Sequence, residues 1–141
     1  MHRRWGISWL GLASALAIHV ADEALTGFLP LYNSTVSGIR ESYPYLPLPT
    51  FTFPFWLGGL IGAILLLYLL SPLVFAGRIW IRYLSYALSI LMILNGLGHM
   101  GASLYWGIFA PGVYSSPILV LAAVALLVTT IQARSEPNGT A

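Results

Sequence analysis

Trp56-Leu57-Gly58-Gly59-Leu60-Ile61-Gly62-Ala63-Ile64-Leu65-Leu66-Leu67-Tyr68-Leu69-Leu70 contains no acid, base or amide. With its apolar flanks it reaches the roughly 20 residues that a helix needs to cross a hydrocarbon core about 30 Å thick. Three further stretches reach that length, and the expected helices lie near residues 7–28, 53–74, 79–108 and 116–133. Hydrophobic residues make up 58% of the chain and charged ones 7%, whereas soluble domains carry about 25% charged residues. The expected fold is therefore an all-α membrane protein, a single four-transmembrane-helix bundle over residues 1–134. Residues 135–141 form a short polar tail expected to be disordered.

The arginines set the expected topology. Arg3 and Arg4 precede the first stretch, Arg78 and Arg82 lie between the second and third, and Arg134 follows the fourth. By the positive-inside rule all three regions are cytoplasmic, with both termini inside. Arg40 alone falls on the other side, in an exoplasmic loop over about 30–52 that is rich in proline and tyrosine. Ala13-Ser14-Ala15 imitates a signal cleavage site, but the apolar pattern continues through Ala21, which favours retention of the first helix. Asn33-Ser34-Thr35 matches a glycosylation sequon, which matters only in a eukaryotic secretory pathway. Nothing else in the sequence points to such a pathway, and the plasma membrane of a prokaryote is the expected location.

Gly58, Gly59, Gly62 and Ala63 set small residues four apart, a spacing that lets helices approach closely in lipid. Packing within the chain is the preferred reading of them, and a homo-oligomer through Gly58 and Gly62 is the alternative. A dispersed net charge of +2 is no nucleic-acid footprint. The absence of cysteine excludes disulfides, thiolate metal sites and cysteine nucleophiles.

Against this apolar background the ionisable groups are concentrated. Each costs about 2.5–3.5 kcal/mol on insertion scales when placed at the centre of a membrane helix, so a cluster of them calls for a reason. The first helix carries His19-Val20-Ala21-Asp22-Glu23 and the third carries Asn95-Gly96-Leu97-Gly98-His99. His19 and Glu23 lie about 40° apart on one helix face, as do Asn95 and His99. Counted from Ile7, His19 and Glu23 rise about 18 and 24 Å; counted from Ile79, Asn95 and His99 rise about 24 and 30 Å. The four groups fall in one layer of the outer half of the bilayer. Side chains one turn apart on two facing helices converge on one ion in bundle metal sites. His19, Glu23, His99, Asp22 and Asn95 are thus candidate ligands of a divalent metal, zinc or non-haem iron. Without a metal, Glu23, His19 and His99 would form a general acid and base set. The competing structural reading is that these groups only hydrogen-bond between helices. It suits Asn95 best and suits two adjacent carboxylates poorly. His2 is expected to be solvent-exposed on the cytoplasmic side.

His19-Val20-Ala21-Asp22-Glu23 resembles the motif of the small polytopic membrane proteins grouped as the H-x-x-E-E family, with aspartate in the fourth place. Thr26-Gly27-Phe28 continues in the manner of that family, and Asn95, His99, Tyr105 and Pro111-Gly112 ahead of a final apolar helix resemble its other recurrent block. The resemblance implies a site at these residues and no settled activity.

The leading functional reading is an intramembrane enzyme acting on a lipid or another apolar small molecule, with His19, Glu23 and His99 binding a metal or moving protons. No Ser/His/Asp arrangement, H-E-x-x-H or phosphate-binding glycine loop is present to narrow the class. A second reading is binding without turnover of haem, a pigment or a small solute. Two-histidine haem ligation is disfavoured, because the helical count separates His19 from His99 by about 12 Å in depth. A third reading is an accessory subunit whose charges organise the fold.

Overall fold

The computed structural model describes residues 2–134; the expectation for 135–141 falls outside them. Five helices make up the fold: α1 (His2–Thr26), α2 (Phe28–Ser42), α3 (Phe53–Phe75), α4 (Ile79–Trp106) and α5 (Ser116–Arg134). No strand occurs among the described residues. Three helices, α3, α4 and α5, are long and apolar enough to cross a membrane, and α1 with α2 passes the same test only as a pair bent by 73°.

α1 is the spine. Trp5, Trp9, Leu12, Leu16, His19 and Glu23 are buried on it, joined by Ala13 and Val20. Steps of four and three residues place these side chains on one stripe. Six of those eight positions are apolar, and toward the C-terminal end His19 and Glu23 continue the same stripe with polar groups. α3 packs on one side of α1 and α5 on the other, while α4 packs along α5. α3 and α4 meet only marginally. The indoles of α1 tie the spine to its neighbours, Trp9 Nε1 donating to the Leu67 carbonyl at 2.8 Å and Trp5 Nε1 to Ser85 Oγ at 3.1 Å. Both donors are buried, where an unpaired N–H is costly.

α4 is inside out by the standards of a soluble helix. Its buried stripe includes Ser85, Ser89, Gly96 and His99, while Ile90, Leu91, Leu94 and Leu97 are exposed. Small and polar residues on the packed face with leucines outside suit a surround of lipid, because lipid tails give no reason to hide an aliphatic side chain. At 28 residues the helix is about 42 Å long, more than a hydrocarbon core requires.

Three expectations change. The first helix begins at His2 rather than near Ile7, and His2, exposed by area, lies over Gly77 in the α3–α4 turn. Residues 30–52 are not a continuous loop: Phe28–Ser42 is helical, and extended chain follows. The chain turns at Gly27, whose φ of 83° is left-handed backbone that glycine adopts without penalty. The extended part is strapped to α2 by Asn33, whose amide donates to the Phe51 carbonyl at 2.8 Å and accepts from the Phe51 N–H at 3.1 Å. Finally, Gly58, Gly59 and Gly62 do not mediate packing within the chain, since a methyl group added at any of them would meet nothing within 4 Å. The close approach lies elsewhere. A methyl at Gly96 of α4 would stand 2.6 Å from the Val120 side chain and 3.1 Å from the Ser116 carbonyl oxygen of α5. Gly96 has Met92 and Met100 four residues away, so the spacing that marks Gly58 and Gly62 does not find the glycine that packs.

Candidate metal or proton-transfer site

His19 and Glu23 end the buried stripe of α1, and His99 ends that of α4. The three side chains converge: Glu23 Oε1 lies 3.0 Å from His99 Nε2 and 3.5 Å from His19 Nε2. The imidazole rings meet edge to face with centroids 4.9 Å apart. The 12 Å depth difference expected from counting therefore vanishes. With α1 starting at His2, His19 rises about 26 Å and His99 about 30 Å from their helix starts, which puts them almost level. Relative exposures of 1% for His19, 5% for Glu23 and 9% for His99 leave water little access to any of them.

Hydrogen bonding at the far side of the His19 ring decides what its converging atom can do. His19 Nδ1 lies 2.8 Å from Ser115 Oγ. The Ser115 hydroxyl itself donates to Asp22 Oδ2 at 2.7 Å, so its oxygen is left to accept. His19 is thereby set as the tautomer with hydrogen on Nδ1 and a bare lone pair on Nε2. His99 Nε2 stands 3.0 Å from Glu23 Oε1, close enough for one proton to be shared between them. One nitrogen of each imidazole and a carboxylate oxygen thus lie within 4.8 Å of one another. Buried this far from water, the group calls for a shared cation, either a proton or a metal ion. His19 Nε2 has no hydrogen-bond partner, as expected of an atom waiting for one.

The donor set fits a metal. Ligands about 2.1 Å from a zinc ion stand about 3.4 Å apart at tetrahedral angles, and the observed 3.0 and 3.5 Å bracket that separation. The Ser115 hydroxyl, 2.8 Å from His19 Nδ1, is the usual kind of supporting contact for a ligating imidazole.

The sequence candidates divide into two groups. Glu23, His19 and His99 form the cluster. Asp22 does not join it: its carboxylate turns toward the start of α5, accepting from Ser115 N at 2.9 Å as well as from Ser115 Oγ. One residue along a helix rotates a side chain by about 100°, which is why the adjacent acids separate. Asn95 lies one turn below His99 and, with it, lines a cavity of about 360 Å³ between α2 and α4. Its Oδ1 is buried without a hydrogen-bond partner.

Two residues of the site were not singled out for a role in it by sequence reading. Ser115 precedes α5 and bridges His19 to Asp22. Its signal was weak, a Ser-Ser-Pro run that marks a helix start and nothing more. Gly112 is the floor: with φ of 83°, a methyl there would stand 2.9 Å from the His99 ring and 3.1 Å from Glu23 Cγ. Its amide donates to Thr26 Oγ1 at 3.2 Å, which binds the loop before α5 to the end of α1. No protein-family model, no curated protein and no solved structure matches this chain, so the geometry of these side chains is what bears on its chemistry.

Proposed function

We propose that this chain is a four-span protein of a prokaryotic plasma membrane with both termini inside, a member of the H-x-x-E-E group. Its His19–Glu23–His99 cluster holds a divalent metal, zinc or non-haem iron, and acts on an apolar substrate. One observation carries the reading: buried ligand atoms of His19, Glu23 and His99 all lie within 4.8 Å of one another. Structural glue would leave no buried ring nitrogen unpaired, and His19 Nε2 has no partner. A bound metal would polarise a substrate oxygen or activate water. Glu23 Oε1, His19 Nε2 and His99 Nε2 would be the ligand atoms, and without a metal the same Oε1 would share a proton with the imidazoles. The arginine distribution supports the topology. Commitment of both amide atoms of Asn33 to Phe51 is consistent with a sequon that carries no glycan.

The experiment is metal content beside thermal unfolding in detergent for the parent, Glu23→Gln and His99→Gln. Glutamine keeps hydrogen-bonding capacity but is a poor ligand and does not titrate usefully. The expected result is about one metal ion per parent chain, lost in both variants, which unfold at about the temperature of the metal-stripped parent. A metal-free parent whose variants unfold readily would leave the three groups as fold-organising contacts.

A further inference from the structure

The cavity beside His99 is a groove in the side of the protein. Leu31 and Tyr32 of α2 form one wall, and Leu94, Gly98 and Ala102 of α4 form the other. From Leu94 to Trp106 it follows α4 for about 18 Å. Its two ends are open, since Leu94 is 63% and Trp106 47% exposed. The small residues of α4 create the space: a methyl added at Gly98 would meet nothing within 4 Å. The lining is almost wholly apolar, and its hydroxyls are spent on the fold, Tyr32 donating to the Pro49 carbonyl and Thr35 to the Leu31 carbonyl. That leaves Asn95, with its unpartnered Oδ1, and the Trp106 indole as polar groups available to an occupant, beside the His99 ring.

We infer that this groove binds one uncharged single-chain amphiphile, a long-chain alcohol, with the chain along α4 and the oxygen between Asn95 and His99. Size argues for one chain, because about 360 Å³ lies near the lower end of the roughly 300–1,000 Å³ of ligand pockets. Charge argues against a phospholipid, because no arginine lines the groove to meet a phosphate. A hydroxyl can donate to Asn95 Oδ1, the one buried acceptor there that lacks a donor, and its oxygen is then held beside the His99 ring. Open ends let the chain slide in from the lipid layer without crossing water. This inference rests on the proposed reactive cluster only for what is done to the oxygen; the groove would hold its occupant without a metal.

The test is saturable retention of labelled hexadecanol by the purified protein in detergent, with hexadecanoate and phosphatidylglycerol as competitors. The parent, Gly98→Leu, Ala102→Leu, Asn95→Leu and Glu23→Gln are compared, with metal content measured in each. Hexadecanol is expected to bind the parent saturably and to weaken about tenfold in Asn95→Leu and in each plugged variant, a loss of about 1.4 kcal/mol. Gly98→Leu and Ala102→Leu should retain the metal. Glu23→Gln should lose the metal and keep hexadecanol within about threefold of the parent, a change of about 0.7 kcal/mol. The inference is overturned if retention is not saturable, if neither plugged variant weakens it, or if hexadecanoate or phosphatidylglycerol displaces hexadecanol as well as unlabelled hexadecanol does. A metal-free parent that still binds hexadecanol would defeat the metal reading alone.

Discussion

Gly112 is held in left-handed backbone with the His99 ring on one side and Glu23 Cγ on the other. An alanine there meets a conformational penalty of about 1–2 kcal/mol and must also displace the ring. Gly112→Ala is expected to lower the unfolding temperature and to reduce metal retention together, read by calorimetry and by elemental analysis of the same sample. Ser115→Ala separates those two effects. Removing its hydroxyl leaves the helices packed as before but takes the acceptor from His19 Nδ1 and a donor from Asp22. Loss of such an orienting partner weakens metal binding about 10–100-fold, and a metal titration should show that loss with the fold intact. Asp22 had been placed among the ligands from its neighbours in sequence. It acts one step removed, because the sequence gives the face a residue occupies and not the partner that arrives from another helix.

At the level of helices, glycines on different helix faces make opposite contributions. Gly96 is pressed against Val120 and the backbone of Ser116, whereas Gly62 faces outward. Gly96→Leu should therefore destabilise by about 1–3 kcal/mol through overpacking, and Gly62→Leu should stay within about 0.5 kcal/mol in unfolding of the monomer. If a second copy of the chain seats on α3, Gly62→Leu should instead abolish its crosslinked dimer while leaving the monomer's unfolding unchanged. The existence of four of the five helices was legible in the apolar runs, since length and hydropathy follow directly from composition. α2 was not. It opens a segment whose prolines and tyrosines have the composition of a loop, although Pro30 and Tyr32 alone of them lie within it, and it is held as a helix by contact with the end of α1 and the strap from Asn33 to Phe51. The polar cluster was legible because intramembrane charges are rare. Its depth was misjudged because the basic start of α1 was assigned to a tail and not to the helix.

For the molecule as a whole, the proposed topology places Ser37 and Ser135 on opposite sides of the membrane. Single cysteines at those positions, in a chain with none of its own, should react with an impermeant maleimide from opposite faces of sealed vesicles. Labelling of both from one face would sink the proposed arrangement and with it the claim that α1 spans. The order in which the helices appear adds a consequence of its own. α1 carries its polar stripe near the beginning of the chain, yet Ser115 and Gly112, which satisfy and shape that stripe, arrive just before α5 at the other end. During synthesis His19 and Glu23 therefore have to wait for Ser115 and Gly112 until the four preceding helices have been made. A chain that stalls or is cut before α5 would display this orphaned polar face to lipid or to whatever inspects newly made membrane proteins. The same residues that equip the finished molecule would mark an unfinished one for removal.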